Sequence, residues 1–266
     1  MRKRGLILFV VIFLFVVGCG MIEYHPYDGQ TDIENVNSSN IELIVNNTKG
    51  KEEFKFVWMG DTQRCYDETK DFVSYVNENL DVDFVMLGGD ISDFGTTVEF
   101  ELIHEIMDEL DVPYVALIGN HDVLGTGHYV FEQMYGDDNF SFTVADVKFL
   151  CLNTNALEYD EEDDVPNFEY VSNELAKSDN AARTIVAMHA RPCTEQLDSV
   201  QGEMLHNKFK EFNNLICCVN AHGHSTEVVD VFDDGVLYYQ CSNIGQRSFS
   251  LFSITKTDYS YEEIYF

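Results

Sequence analysis

Basic side chains are scarce in this chain. Its 266 residues carry 16 Lys and Arg against 47 Asp and Glu, a formal net charge of −31. The field of such a surface repels nucleic acid and anionic lipid, so nucleic-acid binding is not expected. Only four prolines and 17 glycines are present, which excludes a fibrous or low-complexity chain. Seven cysteines occur without the regular spacing of a disulfide framework or a zinc ribbon. Cys151, Cys217 and Cys218 sit in apolar runs and read as buried thiols, while a disulfide involving Cys65, Cys193 or Cys241 stays open. What is abundant is apolar and aromatic: 45% hydrophobic residues with 20 Phe and 14 Tyr, enough for the core of one large or two small domains.

A long hydrophobic run is also missing. The apolar stretch Leu6 to Val17 is shorter than the roughly 20 residues of a stable membrane span. Arg2, Lys3 and Arg4 precede it and small residues follow, which is the three-part pattern of an export signal. Val16-Val17-Gly18-Cys19 resembles the lipobox of bacterial lipoproteins, which makes Cys19 the expected lipidation site; an uncleaved anchor is the alternative. The expected organisation is a signal peptide over 1–18, a polar Asn-rich tether over 19–52 and a folded domain over 53–266. That domain is expected outside the cytoplasm, lipid-anchored to a bacterial cell membrane on its periplasmic or outer face.

Within the domain, β-rich runs alternate with amphipathic stretches. Strands are expected at Phe54–Trp58, Phe84–Leu87 and Tyr114–Ile118, with helices near Glu68–Leu80 and Thr96–Leu110 between them. This is the grammar of a parallel sheet. Consecutive strands Phe140–Thr143 and Val147–Leu152 then imply a mixed sheet. A helix near Phe168–Leu175, a strand Thr184–Met188, a helix around Met204–Phe212 and a strand Leu215–Val219 restore the alternation. The C-terminal part reads as strands at Val228–Phe232, Val236–Gln240, Phe249–Thr255 and Tyr259–Tyr265, and Ile41–Val45 as a short edge strand. The acidic tract Tyr159–Asp164 reads as a solvated loop.

Metal-ligand residue types stand immediately after five of these strands, where open α/β sheets bind ligands. Asp61 and Gln63 follow the first, Asp90 and Asp93 the second, Asn120 and His121 the third. His189 and Arg191 follow the strand ending at Met188, and His222 and His224 the strand ending at Val219. One such residue is usually a turn or packing residue; five sets at the same end of five strands point to a shared site. Their donors suffice for two divalent cations if one carboxylate bridges, and oxygen and nitrogen ligation without thiolate points to Mn, Fe or Zn.

The ordered blocks GDTQ, GDISD, GNHD, MHA and AHGH resemble those of the calcineurin-like metallophosphoesterases from about Phe54 to the C-terminus. The resemblance implies a four-layer α/β/β/α sandwich, two mixed β-sheets flanked by helices. It implies one cation held by Asp61, Asp90 and His224, with Gln63 where the family usually has histidine. A second cation would be held by Asp90, Asn120, His189 and His222, so that Asp90 bridges. His121 matches the histidine that acts on the leaving group and Asp93 the aspartate that orients it. The implied reaction is in-line attack on a small phosphomonoester or phosphodiester by hydroxide bridging the two cations. Arg191 and Arg64, beside these ligands in a chain poor in cations, are candidates for binding phosphate oxygens, together with Asn120. Gln63 offers a neutral amide, which weakens the first cation site. It leaves a second reading open, a non-catalytic lipoprotein binding metal or a phosphorylated ligand in the same pocket.

Overall fold

The computed structural model describes residues 25, 27–159, 164–177 and 181–266. The apolar run, Cys19 and much of the Tyr159–Asp164 tract lie outside the described residues. Among the described residues no helix is long and apolar enough to cross a membrane.

Strands β1 (Phe54–Met59), β2 (Phe84–Leu87) and β3 (Tyr114–Ala116) run parallel, joined by helices α2 (Tyr66–Asn79) and α3 (Thr97–Met107). Antiparallel β10 (Ser248–Ile254) and β11 (Tyr259–Tyr265) extend this sheet to five strands in the order β11-β10-β1-β2-β3. The second sheet has six strands, β4 (Phe140–Val144), β5 (Val147–Leu152), β6 (Arg183–Met188), β7 (Leu215–Asn220), β9 (Leu237–Gln240) and β8 (Glu227–Asp230). Its centre is parallel and its edges antiparallel. Both sheets are mixed, and the expected four-layer sandwich is the fold.

Three apolar layers explain why. The inner faces of the two sheets meet through Phe56, Trp58, Phe84, Phe149, Val219 and Phe252, all fully buried. Alternation along each strand sends the other set outward. Val57, Val85 and Phe249 pack under α2, α3 and α4 (Gly127–Tyr135), and Leu150, Val186 and Tyr238 under α5 (Phe168–Ala176) and α6 (Ser199–Phe209). A strand buried on both faces reads as a continuous apolar run, which is how FVML at β2 appears.

Several boundaries and two elements, helix α4 and the stretch Ile41–Val45, differ from expectation. Helix α6 begins at Ser199 rather than Met204, because the Asp198 carboxylate accepts from the amides of Val200 and Gln201 and caps it. Helix α3 begins at Thr97, where Glu99 reaches back to the Thr96 amide at 3.2 Å. Residues Ile41–Val45, expected as an edge strand within the tether, lie inside helix α1 (Val36–Asn47). That helix packs on the domain: Ile44 is fully buried and Asn37 exchanges two hydrogen bonds with the backbone of Ala116, at 2.8 and 2.9 Å. Asn40 donates to the Tyr114 carbonyl at 2.8 Å. The two amides occupy the open edge of β3, so the stretch is helical for a tertiary reason that its Asn-rich composition does not advertise. All six described cysteines, including Cys65, Cys193 and Cys241, are free.

Candidate metal centre

The loops after β1, β2 and β3 and those after β6 and β7 meet where the two sheets open. Backbone bonds lock the first two together: the Asp61 amide donates to Gly89 O and the Gln63 amide to Asp90 O, each at 3.0 Å. Glycine is required at the crossing. A Cβ on Gly119 would lie 2.1 Å from the Asp90 nitrogen, and Gly89 has φ +95° with the His189 ring 2.7 Å from its virtual Cβ. Asp61, Asp90, His222 and His224 themselves adopt left-handed backbone, with φ between 53° and 66°. Such strain costs about 1–3 kcal/mol per residue and persists where the surroundings over-determine it.

Two ligand groups result, and they share Asp90. Asp90, His189 and His222 place donor atoms within 4.8 Å of one another, as do Asp61, Asp90 and His224. Asn120 Oδ1 stands 3.1 Å from His189 Nε2 and 3.0 Å from His222 Nδ1, which completes the first group. His189 presents Nε2 because Nδ1 is fixed by the Gly88 carbonyl at 2.8 Å. His222 presents Nδ1 because Nε2 meets the Glu195 carboxylate at 2.7 Å.

The electrostatics fit a missing positive charge. Burial disfavours the charged form of both Asp90 and His189, yet their mutual attraction wins, lowering the carboxyl and raising the imidazole. The Asp61 carboxylate, 3.4 Å from His224 Nε2 and not hydrogen-bonded to it, likewise raises His224. Both carboxylate oxygens of Asp61 and Oε1 of Gln63 are buried without a hydrogen-bond donor. A fully buried carboxylate with no donor is costly unless a cation supplies the compensation, so these residues fit divalent ions.

His121 and Asp93 lie beside this centre, but not in the arrangement the resemblance implies. His121 Nδ1 bonds the backbone carbonyl of Asp93 at 2.9 Å, while the Asp93 carboxylate is 3.6 Å away. That carboxylate instead accepts two bonds from Arg64, at 2.6 and 2.5 Å. Asp93 therefore holds the ring by its main chain. A carbonyl only accepts, so Nδ1 carries the proton and Nε2 is the ring nitrogen left for another partner. Arg64, expected on a phosphate oxygen, is engaged with Asp93. Arg191 lies on the rim, 3.4 Å from both Glu227 and the Pro192 carbonyl.

The model of the calcineurin-like phosphoesterase family matches residues 54–226. The chain belongs to the calcineurin-like phosphoesterase family. Among solved structures the chain resembles a dimetal phosphatase from Danio rerio, with TM-score 0.64 and 12% identity over 79% of this chain and 95% of that one. A purple acid phosphatase from yellow lupin superposes with TM-score 0.62 and 14% identity, over 79% and 51%. GAP50, the anchor in the inner membrane complex of Plasmodium, gives 0.60 and 14%, over 81% and 85%. These likenesses are of fold. The uncharacterized protein YvnB of Bacillus subtilis is 28% identical over 120 residues, 40% of this chain. The chain spans only 9% of that relative's length.

Three supporting residues are not among the site residues that the motifs single out. Asp122, fully buried, accepts from the amides of Ile91, Ser92 and Gly119 and from the Ser92 hydroxyl, at 2.7–3.1 Å. It ties the Asp90 loop to the Asn120 loop; burial and the nearby charge of Asp90 push its carboxyl up to about 7. Thr154 Oγ1 accepts from the Ala190 amide and Asn155 donates to the Ile118 carbonyl. Both follow β5 and brace the His189 and Asn120 loops. Asp122 was visible as the last letter of GNHD, whereas nothing in LNTN marks Thr154 or Asn155.

Proposed function

We propose that this protein is a lipid-anchored phosphoesterase outside the cytoplasm that hydrolyses a small phosphomonoester or phosphodiester with two divalent cations. Asp61, Gln63, Asp90 and His224 would hold one cation, and Asp90, Asn120, His189 and His222 the other. The observation that carries the reading is the pair of ligand groups joined at Asp90 beside the donor-less carboxylate of Asp61. Bound divalent cations supply Lewis acidity toward phosphoryl oxygens and acidify water.

The chain's own residues do the rest. His121, steered through Nδ1 by the Asp93 carbonyl, keeps Nε2 for another partner, and when protonated it donates to the departing oxygen. The Arg64–Asp93 pair fixes the loop that carries this carbonyl. Asp122, Thr154 and Asn155 hold the ligand loops in their strained conformations, so that no rearrangement is needed as charge develops. The acidic surface disfavours polyanionic substrates. Gln63 favours one other reading, a lipoprotein that binds metal or a phosphorylated ligand without turnover.

Hydrolysis of p-nitrophenyl phosphate and bis-p-nitrophenyl phosphate with added Mn²⁺ separates the two. The proposal expects turnover by the wild type and loss of both metal and activity in Asp90→Asn. In His121→Ala it expects retained metal and turnover slowed about 10²–10⁴-fold. Absence of turnover with two metals bound per chain would establish the binding reading instead.

A further inference from the structure

Large apolar side chains are exposed next to the metal centre. Phe94, 54% exposed, directly follows Asp93, and Leu124, 37% exposed, lies three residues after His121. Val98, in the first turn of α3, and Tyr129, on α4, extend the lip. The chain enters the described domain at this same place. Tyr27, itself 42% exposed, lies against Gly125: a Cβ there would sit 2.3 Å from the Tyr27 ring. Asp28 O accepts from Thr97 at the start of α3, and Gly29 lies against Tyr129.

The length of the preceding segment limits what this entry point can do. Nine residues lie between Val17, the end of the apolar run, and Tyr27, and fully extended this stretch reaches about 35 Å. A folded domain of this size is about 45 Å across. A chain leaving from the lip is too short to pass around the molecule, so the lip stays on the side of the domain within reach of whatever holds Leu6–Val17 or Cys19, and the far face does not. The net charge of −31 selects an uncharged surface over a strongly anionic one.

We propose that the lip of Phe94, Val98, Leu124, Tyr27 and Tyr129 docks on a zwitterionic bilayer, so that the metal centre opens toward lipid headgroups. This rests on the lipid-anchor part of the proposed function and not on catalysis.

Fluorescence tests it directly, because Trp58 is the only tryptophan and is fully buried. The full chain, expressed with its leader and purified from membranes, is reconstituted into phosphatidylcholine vesicles containing brominated lipid. Phe94→Trp and Leu124→Trp are compared with Thr257→Trp. Thr257 lies in the exposed turn between β10 and β11, at the opposite end of β1. Docking expects the lip tryptophans to be quenched at least about threefold more than the control, as for side chains about 5–10 Å into the interface. Equal quenching at all three positions overturns the proposal. So does protection of the lip from both brominated lipid and aqueous iodide, which would mean that another segment covers it. Failure of the protein to float with vesicles removes the anchor and the docking together, whereas flotation with equal quenching removes the docking alone.

Discussion

At the scale of single residues, the ligand set is a contest between protons and metal. Attraction to Asp90 raises the His189 imidazole despite its burial, and Asp61 raises His224. A raised pKa means the proton is held to higher pH, and a divalent ion must displace it from the nitrogen it uses. Metal affinity should therefore fall as pH falls, about tenfold per unit for each proton displaced. Chelator competition at several pH values measures that slope, and a flat profile would contradict the assignment. Gln63 supplies the second test. An imidazole in place of its amide gives a better donor for Mn, Fe or Zn. Gln63→His is expected to tighten the weaker cation site about tenfold or more, worth about 1.4 kcal/mol or more, as read by calorimetric titration. The ligand residue types were legible from the sequence because each directly follows an apolar β run. The Arg64–Asp93 pair and the Glu195–His222 contact were not, since local spacing says nothing of partners 29 and 27 residues away.

At the scale of elements, the helices found by periodicity were those with an apolar stripe facing a sheet. Helix α2 shows it, with Phe72, Val73 and Val76 buried. Helix α1 lacks that signal because its anchoring groups are amides. Asn37 satisfies both the amide and the carbonyl of Ala116 on the edge strand that leads to Asn120. Asn37→Ala leaves two buried backbone groups without partners. We expect a loss of about 2–4 kcal/mol in urea unfolding, together with weaker metal binding through a loosened Asn120 loop. Helix α4 escaped notice because it is only nine residues long and opens on glycine. Gly127 is nevertheless demanded there, since a Cβ would lie 2.2 Å from the Asp122 carbonyl oxygen.

For the whole molecule, charge dominates. With 47 acidic residues against 16 basic ones, self-repulsion destabilises the compact state and salt screens it. Raising NaCl from about 10 mM to about 150 mM shortens the Debye length from roughly 30 to 8 Å. The melting temperature should rise, and a fall would show that surface ion pairs such as Lys51–Asp83 outweigh the net repulsion. The two-sheet sandwich places five ligand-bearing loops at one end, all of them after adjacent parallel strands of two sheets: β1, β2, β3 and β6, β7. That convergence permits a buried acidic centre in an already acidic protein.

By itself the sequence determined the alternation of strands and helices and the residue types that end five strands, while the two mixed sheets were implied by the family resemblance of its motifs. Hydrophobic period and strand-end chemistry are local properties, written in adjacent letters. Only the tertiary structure decided that Asn-rich residues 36–47 form a helix, that Asp93 holds His121 by its carbonyl, and that Asp61 is left without a donor. Each of these depends on which distant groups become neighbours, and the chain's neighbours in space are set by packing of the three apolar layers.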